Sequence, residues 1–199
     1  MKRTLIYIDP DVPLGSLELL GVMERMYGPD GSRSYGLCAG GLDEGIANAL
    51  DHVILIEGLR LGAHDVVTIT SCIEDLQRKH VFDAILIPAT TFGRMLAPRA
   101  AMRLHAGLVA DVTGIRRRNG EVEMVRPAFS GRMFAGVVSR GEGPIMMTVR
   151  RNVFSYEKRE SGRAEIHSYA PRTSAASRAR TRRRASSRRS STSLATAIL

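Results

Sequence analysis

The sequence predicts an α/β fold: a Rossmann-like open parallel sheet with helices on both faces, extended by antiparallel strands and followed by a disordered C-terminal tail. Three observations carry that prediction. Short continuous apolar runs such as Leu5–Ile8, Val53–Ile56 and Ala84–Ile87 lack the alternation of a half-solvated sheet, so they read as strands covered on both faces. Amphipathic stretches of helical period alternate with them, and right-handed crossovers then restrict the topology to an open doubly wound sheet. After Asp111 the rhythm changes to short strands punctuated by turn signals.

The first strand, Thr4–Ile8, stops at Asp9-Pro10-Asp11-Val12-Pro13, because proline cannot continue a ladder. Ser16 precedes Leu17, Leu19, Leu20, Val22, Met23 and Met26 at helical spacing; it is a candidate cap, and Gly28-Pro29 is the stop. A short strand around Ser34–Leu37 leads through Ala39-Gly40-Gly41 to a helix from Leu42 to Leu50. His52–Glu57 reads as the third strand, Ser71–His80 as a helix, and Ala84–Pro88 as the fourth strand. The helix Gly93–His105 follows, with Leu96, Ala100 and Leu104 on one stripe and Arg94, Arg99 and Arg103 off it. Leu108–Ala110 is the fifth strand. Asn119-Gly120 marks a hairpin between Thr113–Arg118 and Glu121–Pro127. Met133–Val138 and Ile145–Arg150 read as further antiparallel additions.

Charge divides the chain. The net charge of the 199 residues is +9, yet residues 171–199 contain eight arginines, no lysine and no acid. The rest is nearly neutral, with 21 basic and 20 acidic groups, which excludes a uniformly basic nucleic-acid-binding domain. The expected organisation is a domain over residues 1–154, a linker over 155–170, and an Arg/Ser-rich tail over 171–199 without a periodic apolar face. No apolar run approaches the roughly 20 residues that span a bilayer. The N-terminal apolar run is interrupted by Asp9 and is too short for a secretory leader, so the expected location is the cytoplasm. Two isolated cysteines, Cys38 and Cys72, exclude a disulfide framework and a Cys-ligated zinc site. With no Trp and few other aromatics, base-stacking platforms are poorly supplied.

In open α/β sheets ligands bind beyond the carboxyl ends of the strands, which singles out Asp9–Pro13, Ala39–Leu42 and Pro88–Gly93. The last places Thr90, Thr91, Gly93 and Arg94 at a helix N-terminus. Two readings stand: a phosphate cradle, or a threonine cap with a glycine that permits close packing. A P-loop, a Gly-x-Gly-x-x-Gly after the first strand, and a Gly-x-Ser-x-Gly elbow are all missing. The five histidines show no metal-ligand spacing, and no catalytic constellation is evident, so neither a metal nor catalytic residues are expected.

A longer stretch is more specific. Ile85-Leu86-Ile87-Pro88-Ala89-Thr90-Thr91-Phe92-Gly93-Arg94, then Leu96 to Leu104, then Ala106-Gly107-Leu108-Val109-Ala110-Asp111, closely resembles the alpha subunit of electron-transfer flavoproteins. Arg126-Pro127-Ala128-Phe129-Ser130-Gly131 and Met147-Thr148-Val149-Arg150 continue the match, which runs roughly from Leu5 to Phe154. Met95 departs from it, standing where the family usually has an acid. The resemblance implies the N-terminal domain of an alpha subunit, a scaffold that packs against a beta subunit. The family complex takes electrons from flavin dehydrogenases, as in fatty-acid β-oxidation, and passes them to a quinone oxidoreductase. FAD belongs to a second alpha-subunit domain and AMP to the beta subunit. Nothing after Phe154 resembles the FAD domain, so no flavin-binding residue is carried over, and this chain alone is not expected to retain FAD. The AMP location also weighs against a phosphate cradle at Thr90, Thr91, Gly93 and Arg94.

Three functions follow as expectations. The first is an electron-transfer flavoprotein alpha chain confined to its N-terminal portion, a truncated or frame-disrupted copy. The second is an interaction protein whose tail, through Arg182-Arg183-Arg184 and Arg188-Arg189, contacts RNA or anionic lipid. The third is a stand-alone nucleotide-binding module.

Overall fold

The computed structural model describes residues 1–59, 62–118, 120–156 and 163–171. In chain order the elements are β1 (Lys2–Ile8), α1 (Glu18–Tyr27), β2 (Ser32–Ala39), α2 (Glu44–Ala47), β3 (His52–Ile56), α3 (Val66–His80), β4 (Ala84–Pro88), α4 (Thr91–Leu104), β5 (Leu108–Val112), β6 (Gly114–Arg118), β7 (Glu121–Ala128), β8 (Met133–Val138), β9 (Ile145–Val149) and β10 (Glu165–Tyr169). Seven strands form one sheet in the order β10-β3-β2-β1-β4-β9-β5, every adjacent pair parallel. Strands β6, β7 and β8 form a separate antiparallel sheet. The predicted Rossmann-like α/β class with an antiparallel extension is the observed one.

Burial on both faces follows from the two-residue period of a strand. In β1, Ile6 and Ile8 face the side covered by α1, through Leu19, Leu20, Met23 and Met26. Leu5 and Tyr7 face the side covered by α3 and α4, through Ile69, Ile73, Leu76 and Leu96. The antiparallel sheet completes the α1 side: Met124 is fully buried there, with Ile115, Val122 and Val137 packed against the same core. Strands thus take a place that helices occupy elsewhere in the fold.

Four local expectations are corrected. Ser16 does not cap α1, whose N-cap Leu17 makes no side-chain cap bond. Ser16 is buried instead; its hydroxyl donates to the Val12 carbonyl at 3.0 Å and accepts from Asp9 N–H at 3.1 Å, tying the loop after β1 to itself. The helix expected from Leu42 to Leu50 is a single turn, Glu44–Ala47, capped by Asp43. Strand β9 is not an antiparallel addition. It lies parallel between β4 and β5, and Met146 on one face and Met147 and Val149 in the core of the other are buried because both faces of the sheet are covered. Finally, Glu165–Tyr169, expected as linker, pairs in parallel with β3 as the sheet edge. Its polar, solvated sequence suits an edge, where charged side chains block further pairing.

Helix α3 begins at Val66, ahead of the expected Ser71. The Asp65 carboxylate accepts from Thr68 N–H at 3.1 Å and from its hydroxyl at 2.6 Å. This cap and the buried Ile69–Ile73–Leu76 stripe outweigh the modest helix propensity of the β-branched lead. The predicted hairpin forms with Arg118 opposite Glu121 and Gly120 at φ 81°; Asn119 lies outside the described residues. All of the predicted tail except Pro171, and residues 157–162 of the predicted linker, also lie outside them.

Candidate functional site

The strand order reverses about β1: β2 lies on one side and β4 on the other. Loops leaving β1 and β4 therefore diverge, and the crevice between them is where an open α/β sheet accepts a ligand. Asp9 follows β1 and is fully buried at this point. One carboxylate oxygen accepts from Asp11 N–H at 3.0 Å, and the other accepts the Thr90 hydroxyl, which stands at the end of β4. The same Thr90 oxygen accepts Gly93 N–H at 2.9 Å, capping α4.

Of the four residues that the sequence singled out, Thr90 and Gly93 are thus engaged with each other. A Cβ on Gly93 would stand 2.0 Å from the Pro88 carbonyl oxygen, so glycine lets α4 approach β4. Thr91 is exposed. Arg94 points away from the helix end toward Asp111, at 3.8 Å.

The fit to a dinucleotide is poor. A pyrophosphate needs free N–H donors or cations, whereas here a buried carboxylate stands at the switch point and Thr90 takes up the cap. Asp11 and Asp43 add further acids along this edge. A neighbouring cavity of about 360 Å³ is lined by Ile8, Pro10, Cys38, Gly41, Leu42 and Asp43, among others. Burial pushes the Cys38 thiol up to about 12, which removes it as a nucleophile. Among the described residues, Asp9, Thr90 and Gly93 at this crevice satisfy one another and offer no cation to the phosphates of FAD.

Two constellations escaped sequence reasoning. His64 reaches over from the loop before α3, placing Nε2 3.1 Å from Asp11 Oδ2 and its ring edge-on to Phe92 at 5.2 Å. With Asp9 these groups bring three potential ligand atoms within 4.8 Å of one another. Among the described residues the Tyr7 hydroxyl is buried without a hydrogen-bond partner; burial, then the Asp9 and Asp11 charges, hold its pKa far above the ordinary phenol range.

The second constellation lies at the junction of the two sheets. Asp111 sits in a bulge of β5 at φ 63°, a left-handed conformation that aspartate tolerates better than most residues. Its N–H donates to the Thr148 hydroxyl at 2.8 Å, and Arg150 grips both carboxylate oxygens, at 3.2 and 2.5 Å. The Arg150 bond, reinforced by the Arg150 and Arg94 charges, holds the Asp111 carboxyl below the usual carboxylate range despite partial burial. The Thr-Val-Arg motif and Asp111 both belong to the resembling stretches of the sequence; their pairing was not visible there.

Fold and crevice together define a doubly wound α/β scaffold in which Asp9, Thr90 and Gly93 bond one another at the switch point. The family model described as "Electron transfer flavoprotein domain" matches residues 30–174, and the chain belongs to that family. It is 35% identical to "Protein FixB" of Clostridium saccharobutylicum over 145 residues, covering 70% of this chain and 43% of the relative. It is 30% identical to "Lactate dehydrogenase (NAD(+),ferredoxin) subunit LctC" of Acetobacterium woodii, covering 77% and 38% respectively. It is 33% identical to "Electron transfer flavoprotein subunit alpha" of Clostridium acetobutylicum, covering 73% and 46%. The resemblance to the alpha subunit therefore holds, and the chain spans less than half the length of these relatives. Among the described residues, no helix is long and apolar enough to cross a membrane.

Proposed function

We propose that the chain scaffolds an electron-transfer flavoprotein heterodimer, packing against a beta subunit as the N-terminal domain of an alpha subunit does. The observation that carries this reading is an exposed apolar rim on the antiparallel sheet. Phe129 is 76% exposed, Phe134 68% and Met133 58%, and β8, which carries two of them, is an open edge strand. Such a rim marks an interaction surface. Phe129 and Ser130 both hold left-handed backbone conformations, at φ 50° and 57°, a strained turn that projects the phenylalanine outward.

In this reading the complex, rather than this chain, holds FAD and moves electrons, receiving them from a flavin dehydrogenase and passing them to an acceptor such as a quinone oxidoreductase. The buried Asp9 carboxylate and the engaged Thr90 at the switch point support a chain that does not retain FAD by itself. Relatives named for lactate dehydrogenase and for acryloyl-CoA reductase favour a family role shared by several dehydrogenases over one confined to fatty-acid β-oxidation. The proposed location is the cytoplasm.

Co-expression with an electron-transfer flavoprotein beta subunit, gel filtration and a visible spectrum test the reading. The two chains are expected to co-elute, and F129E/F134E to abolish co-elution while leaving the circular dichroism unchanged. Failure of the unaltered chain to co-elute overturns the scaffold role. Stoichiometric flavin on the isolated chain overturns the cofactor assignment.

A further inference from the structure

At the opposite, amino-terminal edge of the parallel sheet, three side chains from two strands converge on one point. In the parallel register of β3 and β10, Glu165 lies directly opposite His52, and His167 follows Glu165 by two residues. Cross-strand partners share a face, as do residues two apart on one strand, so all three side chains project from the same side. His52 Nδ1 lies 3.3 Å from one Glu165 oxygen, and His167 Nε2 lies 3.6 Å from the other. One ligand atom from each of the three residues falls within 4.8 Å of the other two.

Two features add to this convergence. Among the described residues, His52 Nδ1 is buried and makes no hydrogen bond, its meeting with Glu165 being the 3.3 Å ion-pair contact alone. The imidazole is also held by its neighbours: its ring stacks on Tyr35 at 4.4 Å and 12°, and the His167 ring lies 5.7 Å away at 29°. Zinc bonds to nitrogen of about 2.0–2.1 Å set tetrahedral donor–donor edges at about 3.3 Å, and the two nitrogen–oxygen separations, 3.3 and 3.6 Å to different Glu165 oxygens, leave little movement for an ion to be accepted.

We infer that His52, Glu165 and His167 form a binding site for a borderline divalent cation, zinc by preference, that fastens the edge strand β10 to β3. Two imidazoles and a carboxylate are a donor set suited to zinc and unsuited to calcium or magnesium. Three protein ligands leave one position for water. The ion would occupy the gap that now leaves His52 Nδ1 unbonded, and it would join strands that are far apart in the chain. The other convergence, at Asp9, Asp11 and His64, is the weaker candidate because the Asp9 carboxylate is already engaged by Thr90 and by Asp11 N–H.

The test is zinc titration of the full chain, freed of any affinity tag, by calorimetry, with cobalt as a spectroscopic substitute. One zinc per chain is expected, together with the visible absorption of tetrahedral cobalt and slower amide exchange in β10. H167A and E165Q alter exposed side chains and should leave the fold intact while weakening zinc binding at least about tenfold; H64A should bind as the unaltered chain does. Absence of binding at submillimolar zinc overturns the inference. So does binding that H167A and E165Q leave unchanged, or that H64A alone removes.

Discussion

Arg150 holds Asp111 by both carboxylate oxygens across the joint where the parallel sheet gives way to the antiparallel one. Thr148, in β9, takes the Asp111 N–H, so one residue of that strand and Arg150 just past its end fix the bulge that redirects the chain into β6. The carboxyl is held below its ordinary pKa, chiefly by the Arg150 bond. A depressed folded-state pKa contributes stability that is present above the unfolded value and lost as pH falls through the folded one. Arg150→Gln therefore costs stability at neutral pH, where the contribution is fully present, and the difference from the unaltered protein shrinks as pH falls through the folded value. Denaturant unfolding at neutral and at acid pH checks this, and hydrogen exchange at neutral pH should show β5 and β6 opening first. Equal stabilities at neutral pH would show that the pair is screened into irrelevance.

Thr90 serves two buried groups with one hydroxyl, accepting from Gly93 N–H and donating to Asp9. Thr90→Val keeps the shape and removes both bonds, leaving a buried carboxylate short of a donor. The expected cost is about 1–3 kcal/mol. Thermal unfolding should fall by roughly 2–4 °C for each kcal/mol lost, while Thr90→Ser stays near the unaltered protein. Equal losses in Val and Ser would place the effect in packing rather than in the hydroxyl.

What the sequence made legible was local. Thr4–Ile8 and Ala84–Pro88 read as doubly buried strands because continuous apolar runs of that length have few other uses, and Asn119-Gly120 announced its hairpin. Partnerships across the sheet were not legible. Asp9 and Thr90 are 81 residues apart and Asp111 and Arg150 are 39 apart; they meet only because β1 lies beside β4, and β9 beside β5. The register of β9 was hidden for a related reason. An apolar run shows that a strand is buried, but its direction depends on the crossover, here made by a small sheet instead of a helix. β10 was hidden by its composition, since Glu165, His167 and Ser168 make an edge strand look like a linker. His52 and His167 looked unrelated for the same reason.

Both cysteines are buried, and burial pushes each thiol up to about 12. At mildly alkaline pH neither supplies thiolate, and neither is open to a reagent. Titration with a chromogenic disulfide is expected to find no reactive thiol in the native protein and two after denaturation. Because thiolate formation and access both require opening, the slow native rate should track global or subglobal unfolding. Rapid native modification of Cys72 would show that α3 opens independently of the sheet.

Gly93 stands close against the end of β4, and the geometry there leaves no space for a methyl group. A Cβ would lie 2.0 Å from the carbonyl oxygen of Pro88, a backbone atom of a buried strand that cannot swing aside. Gly93→Ala must therefore push α4 off the sheet, disturbing the contacts of Leu96, Ala97 and Ala100, which are all fully buried. Alanine's better helix propensity, worth about 1 kcal/mol, opposes the loss without cancelling it. A net destabilisation of about 1–3 kcal/mol is expected from overpacking of this kind. Gly107 provides the matched control, since nothing lies within 4 Å of a Cβ there, and Gly107→Ala should be close to neutral. Denaturant midpoints at unchanged slope measure both. If Gly93→Ala unfolds within about 0.5 kcal/mol of the unaltered protein, the close approach of α4 to β4 is wrong.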